Sequence, residues 1–286
     1  MDNLKAKKRH PEEIAVYSAI YVCAAFSVLL LLGIIVYVFA NGARRVNWAF
    51  LTGVTSILHG TVGIAGNILN TLIIILLTMI ITTPIGVGAA IYLNEYAKPG
   101  KLVTVIIFAT ETLAGIPSII FGLFGMLFFG QLCHMGYSLL TGSLTLTLMV
   151  LPLVTRNTQE ALKTVPDSFR TGAVGLGAGK WYTIRTILLP SAMPGIVTGV
   201  ILAIGRIIGE SAALLFTAGS AHLLPKTFDA FLEKIFHSGG TLTIQLFFSA
   251  SMGEFEVAFG IAVVLLVIVL LINFGTKRLA KKLEKH

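Results

Sequence analysis

VAFGIAVVLLVIVLLINF, Val257–Phe274, runs eighteen residues without a charge and is followed at once by Lys277, Arg278, Lys281, Lys282 and Lys285. A soluble core helix has no use for so long an apolar run, but a bilayer about 30 Å thick needs about twenty such residues. The basic cluster halts the segment at a membrane face. Five more stretches read the same way: Ile14–Ala40, Ile68–Leu93, Leu102–Phe129, Leu139–Thr155 and Met193–Ala218. Hydrophobic residues make up 56% of the 286-residue chain and charged residues 12%, where a soluble domain carries roughly 25% charge. The expectation is an all-α polytopic membrane protein with six transmembrane helices.

The charge pattern gives an orientation. Sixteen of the twenty-one Lys and Arg residues fall on one side of the six spans. They are Lys5, Lys7, Lys8, Arg9, Lys98, Lys101, Arg156, Lys163, Arg170, Lys180, Arg185 and the C-terminal five. Arg44, Arg45, Lys226 and Lys234 fall on the other, and Arg206 lies within a span. Cytoplasmic loops collect Lys and Arg, so both termini are expected in the cytoplasm of a cell whose plasma membrane holds the chain. The first apolar run is too long for a signal peptide and is read as an uncleaved span. The division that follows is a tail over 1–13, a transmembrane domain over 14–276 with one long inside loop over 156–190, and a tail over 277–286. The net charge of +8 is spread over loop ends without interleaved aromatics. It reads as topology and attraction to lipid head groups, not as a nucleic-acid surface.

Pro84, Pro117, Pro152 and Pro194 fall within spans and predict kinks. In the fifth span Gly195, Gly199 and Ala203, then Gly205 and Gly209, allow another helix to come close. Within the long loop, Pro166 with Asp167 and Ser168 starts a short helix ending near Leu176. Gly177-Ala178-Gly179 terminates it. Position 181 is Trp, so Gly175 to Lys180 is no nucleotide-binding P-loop. The histidines His10, His59, His134, His222, His237 and His286 are isolated and predict no metal site. Cys23 and Cys133 are expected as separate thiols. No nucleophile–base set stands out, and an enzyme is not expected.

Gly177-Ala178-Gly179-Lys180-Trp181, with Ile187-Leu188-Leu189-Pro190 after it, resembles the loop of membrane subunits in ABC importers. That pattern reads E-A-A, three residues, G, nine residues, I-x-L-P. Aligned on Gly177 and Pro190, its first positions fall on Thr171, Gly172 and Ala173, of which only Ala173 matches. More of the chain resembles the phosphate-specific branch, and within it the A-type permease subunit. The stretches are Gly86–Tyr96, Leu113–Leu123, Glu160-Ala161-Leu162 with Val165-Pro166, and Gly205–Ala213. The paired permease subunit of the same importer shares much of this pattern.

The resemblance implies a type I importer permease fold with cytoplasmic coupling helices. It implies that Glu160, Ala161, Pro166, Thr171, Gly172, Ala173, Gly177, Ala178, Gly179, Lys180, Trp181 and Pro190 form the surface that meets an ATPase. It further implies a second phosphate permease subunit, two ATPase subunits and an external phosphate-binding protein. ATP and Mg would sit on the ATPase, and no cofactor on this chain.

Three ionisable residues are expected at membrane depth: Glu111, Arg206 and Glu210. Such residues cost about 2.5–3.5 kcal/mol near mid-bilayer and turn inward. Read as one helix, the fifth span puts Arg206 and Glu210 on one face. They are either a pair locking the packing or a cation on an anion route moderated by a carboxylate. A guanidinium suits phosphate, and equally sulfate or molybdate. A lipid-phosphate enzyme would need a clustered catalytic set, and a gradient-driven transporter an inverted repeat. Neither is evident.

Overall fold

The computed structural model describes residues 11–56, 61–225 and 227–283. Lys5, Lys7, Lys8, Arg9, Lys226, Lys285, His10, His59 and His286 lie outside the described residues. Helix α1, Pro11–Gly42, ends in a tight turn, Ala43–Arg45. A short α2, Trp48–Thr52, leads into an antiparallel pair, β1 Val54–Ser56 and β2 Thr61–Ile64. Then come α3, Ala65–Ile91, widened at its end by a π-type turn Tyr92–Tyr96, and α4, Lys101–Gly115. Helix α5, Ser118–Gly125, continues as a π-type turn to Leu132, and α6 spans Leu139–Lys163.

Helix α7 is Asp167–Gly175, and α8, Lys180–Thr183, passes through a π-type turn into α9, Leu189–Gly209. Three short helices follow: α10 Ala212–Thr217, α11 Phe228–Glu233 and α12 Leu242–Ser251. Helix α13, Phe255–Leu283, is last. Among the described residues five helices are long and apolar enough to cross a membrane by themselves, and six spans result when the bent pair α4–α5 is counted as one.

Helix α6 is the centre of the bundle. Ser138 caps it by accepting the Thr141 amide at 3.1 Å. Leu146, Val150 and Val154 are fully buried and share one core with Ile74 of α3, Ala203 and Ile207 of α9 and Leu214 of α10. Glycines set the spacing: a Cβ on Gly86 would press on Val154, and one on Gly199 on Asn157. Helix α1, by contrast, lies at the edge, and its apolar residues from Val16 to Tyr37 are exposed except the half-buried Ile35. It rests on α13, where Tyr37 meets Phe259 edge-on at 5.6 Å.

The third span is not one rod. Helices α4 and α5 meet at an angle of 103°. Pro117 forces the residue before it away from the α region, and Ile116 sits at φ −74°, ψ 132°. The fifth span is corrected too. Its helix begins at Lys180 and stops at Gly209, because Glu210 turns extended at φ −83°, ψ 121°. Residues 212–217 form the separate α10. The small-residue pattern also divides: Gly195 and Gly199 pack on α6, whereas a Cβ on Gly205 or Gly209 would meet nothing within 4 Å.

Candidate functional site

Two regions of the described chain concentrate polar chemistry: the loop between α6 and α9, and the break after α9. The loop stands on a core of its own, in which Ala161, Leu162 and Val165 pack against Ile184, Leu188 and Ile196. Pro166 precedes α7, where it forfeits no hydrogen bond because the first helical amides are free anyway. The helix ends in a left-handed glycine. Gly177 has φ +82°, its amide bonds to Val174 O at 2.9 Å, and the Ala178 amide reaches back to Ala173 O at 2.9 Å. That double closure satisfies carbonyls a helix end leaves open, and it needs a residue without a Cβ.

Arg170 fixes this loop to the bundle. Its Nη2 donates to Glu95 Oε1 at 2.9 Å and to Leu162 O at 3.0 Å. Its Nη1 donates to Val165 O and Asp167 Oδ1, each at 3.0 Å. One guanidinium thus joins the last turn of α3, the end of α6 and the start of α7. The Glu95 side chain is 9% exposed and that of Arg170 23%. The hydrogen bond to Glu95 raises the Arg170 pKa above the usual guanidinium value, outweighing the burial that lowers it. Next to Glu95, Tyr96 takes the Lys180 ammonium over its ring at 4.7 Å. The turn Tyr92–Tyr96 is therefore a socket that grips α7 through one residue and α8 through the next.

The sequence-predicted loop residues come together here. Ala161 and Ala173 are buried, while Thr171, Gly172, Gly177, Gly179, Lys180, Trp181 and Pro190 are exposed and Ala178 half-buried. Around them Phe169, Val174, Leu176 and Tyr182 present apolar side chains to the outside, with Leu176 91% exposed. Glu160 makes a surface pair with Lys163 at 3.1 Å. Sequence reading missed Glu95 and Tyr96 as members of the site and counted Arg170 only as a topology charge.

The second region does not form as expected. Arg206 and Glu210 are not on one helix, and no ion pair joins them. Glu210 accepts the Ala213 amide at 3.1 Å, holding the start of α10 instead. Its backbone carbonyl accepts from Thr243 Oγ1 at 2.9 Å. Arg206 is exposed in the last turn of α9, a favourable place for a cation. Among the described residues it has no carboxylate within 4.0 Å. Open space around Gly205 and Gly209 flanks it. Glu111 is elsewhere: it faces Arg156 at 3.7 Å, in a cleft of about 140 Å³ shared with Gln159, Glu160 and Lys163.

Similarity to known proteins decides what this arrangement belongs to. A family model described as "Binding-protein-dependent transport system inner membrane component" matches residues 82–286. The chain belongs to that family. It is 36% identical over 273 residues to the probable ABC transporter permease protein YqgI of Bacillus subtilis (strain 168), covering 92% of this chain and 93% of the relative. It is also 36% identical over 221 residues to the phosphate transport system permease protein PstA of Xylella fastidiosa (strain Temecula1), covering 76% and 74%.

Its fold is similar to that of a bacterial alginate ABC transporter solved with an alginate-bound periplasmic protein. The TM-score is 0.71 at 14% identity, with 96% of each chain covered. The MetNI methionine ABC transporter gives 0.58 at 21% identity, covering 77% of this chain and 94% of that one. This is a multi-pass membrane permease of the ABC importer class, with the type I fold, and a transport subunit rather than a catalytic one. Permeases of this class work with ATPase and substrate-binding partners.

Proposed function

We propose that this permease moves inorganic phosphate inward across the cytoplasmic membrane, driven by ATP hydrolysed on a separate subunit. The observation that carries the reading is the 36% identity to permeases named for phosphate transport, over three quarters of the chain. Arg206 supports it. The residue is exposed, without an acidic partner among the described residues, in the last turn of a helix that also carries Gly205 and Gly209. Phosphate must shed water to cross a low-dielectric barrier, and a guanidinium offers a matched fork of donors. Weak attraction at one of several stations lets the ion leave again.

The partners follow the same reading. A second phosphate permease subunit would cover the apolar face that Ile119, Leu123, Phe124 and Phe247 leave exposed and would complete the route beside Arg206. Two ATPase subunits would meet the apolar residues of α7 and its flanks. An external phosphate-binding protein would deliver cargo at the opposite end. Both termini then lie in the cytoplasm, and ATP with Mg is held by the ATPase. The Arg170 junction carries the closing motion of the ATPases from α7 into α3 and α6.

Uptake of labelled phosphate at low external concentration tests the cargo, in cells with and without the gene and with sulfate in parallel. Loss of phosphate uptake alone is the expected result. Loss of sulfate uptake instead would replace the cargo and leave the transporter class standing.

A further inference from the structure

Arg45 stands at the end of the bundle away from α7, in the turn that closes α1. Two clefts of about 500 Å³ open beside it, and it is the residue that lines both. One cleft is completed by Asn47, Phe50 and the start of β1, the other by Arg44, Phe255 and Glu256. The stem is clamped. A Cβ on Gly42 would collide with Phe259 O, so α1 touches the α13 backbone there. A Cβ on Gly260 would stand only 3.1 Å from Arg45 Cγ. The Phe50 ring covers another side, its centroid 5.8 Å from Cζ.

Held this way, Arg45 Nε is buried, and it has no hydrogen-bond partner among the described residues. Glu256 shares a cleft with Arg45, yet no carboxylate among the described residues lies within 4.0 Å of either arginine. A buried N–H without an acceptor costs about 1–3 kcal/mol, more for a charged group. The side chain also lines both clefts, where an anionic oxygen can approach the guanidinium.

We propose that Arg45, with Arg44 beside it, is a binding site for a phosphate group: the phosphodiester of a phospholipid headgroup or a free phosphate ion. The guanidinium fork is matched to phosphate oxygens. The surroundings suit a lipid. Trp48, 79% exposed, is of the kind that settles at a membrane–water boundary, and the exposed Phe255 adds apolar surface to one cleft. Glu256 opposes a doubly charged free ion but complements the ammonium of a zwitterionic headgroup. A headgroup seated here would add to the contact that Tyr37 and Gly42 of α1 already make with Phe259 of α13. Arg206 lines neither of these two clefts.

The full chain, delipidated in detergent, is titrated separately with phosphatidylethanolamine, with a diglucosyl diacylglycerol of the same acyl chains, and with inorganic phosphate. Thermal unfolding is the readout, and native mass spectrometry counts bound lipid. The phospholipid is expected to raise the unfolding temperature where the glycolipid does not. Arg45→Gln should weaken that binding by about tenfold or more. Arg45→Lys keeps the packed stem but not the fork, and should lose most of the shift while remaining folded. A shift produced by inorganic phosphate and lost in the variants supports the site with the free ion as its source. Equal response to phospholipid and glycolipid, or equal response of wild type and the lysine variant, overturns the proposal.

Discussion

Arg170 and Arg206 sit at opposite extremes of satisfaction in one molecule. Arg170 spends its donors on Glu95, Leu162, Val165 and Asp167, tying α3, α6 and α7 together. Arg206 is exposed, with open space at Gly205 and Gly209 and no carboxylate within 4.0 Å among the described residues. On the proposed function, the difference separates two kinds of work. A junction that transmits motion must be complete within the chain, or the loop would slip under load. A station for a passing anion must keep its charge unspent, and its other walls can come from another subunit. Arg156, facing Glu111 at 3.7 Å with both side chains more than half exposed, stands between these cases.

The contrast can be broken at either end. Arg170→Ala strands a half-buried carboxylate and two carbonyls, and leaving such groups without their donor costs about 1–3 kcal/mol. A lower unfolding temperature of the purified permease should report this loss. Glu95→Gln, which keeps the shape, should lose less and leave ATP hydrolysis running with less transport per ATP. Arg206→Ala should change stability by no more than about 0.5 kcal/mol, yet cut uptake by roughly ten- to a hundredfold, with Arg206→Lys in between. If Arg206→Ala instead unfolds the chain, the residue belongs with Arg170 and the contrast fails.

Two smaller changes sharpen it. Gly177→Ala places a Cβ at φ +82° and should destabilise the end of α7 by about 1–2 kcal/mol, seen as faster protease cleavage in the loop. Glu111→Gln removes an exposed pair and should shift stability by only about 0.5 kcal/mol or less. A larger loss on thermal unfolding would mean that the cleft with Arg156 is more than a surface feature.

The spans were legible because an apolar run of bilayer length followed by Lys and Arg has few other readings. Helix α7 was legible for the same local reason, with Pro166 opening it and Gly177 closing it. The breaks were harder. Pro117 predicted a kink, but the 103° bend also depends on how α5 packs, where Gly122 lies against Ala213 and Gly125 against Thr145. The stop before Glu210 carries only weak marks, Gly209 and the basic Arg206 in the last turn, and the Glu210 side chain then holds the start of α10 through the Ala213 amide. Hence the four-residue spacing of Arg206 and Glu210 misled.

The Glu95–Arg170 pair joins residues 75 apart in the chain, and no periodicity within one segment can announce such a contact. The same holds for Tyr96 under Lys180. The β1–β2 pair was absent from an all-helical reading because two strands of three and four residues leave little pattern in a glycine-rich loop.

The measurement that bears most directly on the account is ATP-driven uptake of labelled phosphate into vesicles carrying this permease with its partner subunits and binding protein. Wild type and Arg206→Ala are compared with excess sulfate outside, and ATP hydrolysis is followed in the same samples. The account predicts wild-type uptake indifferent to sulfate, and a variant that hydrolyses ATP but imports little phosphate. Undiminished uptake by a correctly assembled Arg206→Ala complex would contradict it.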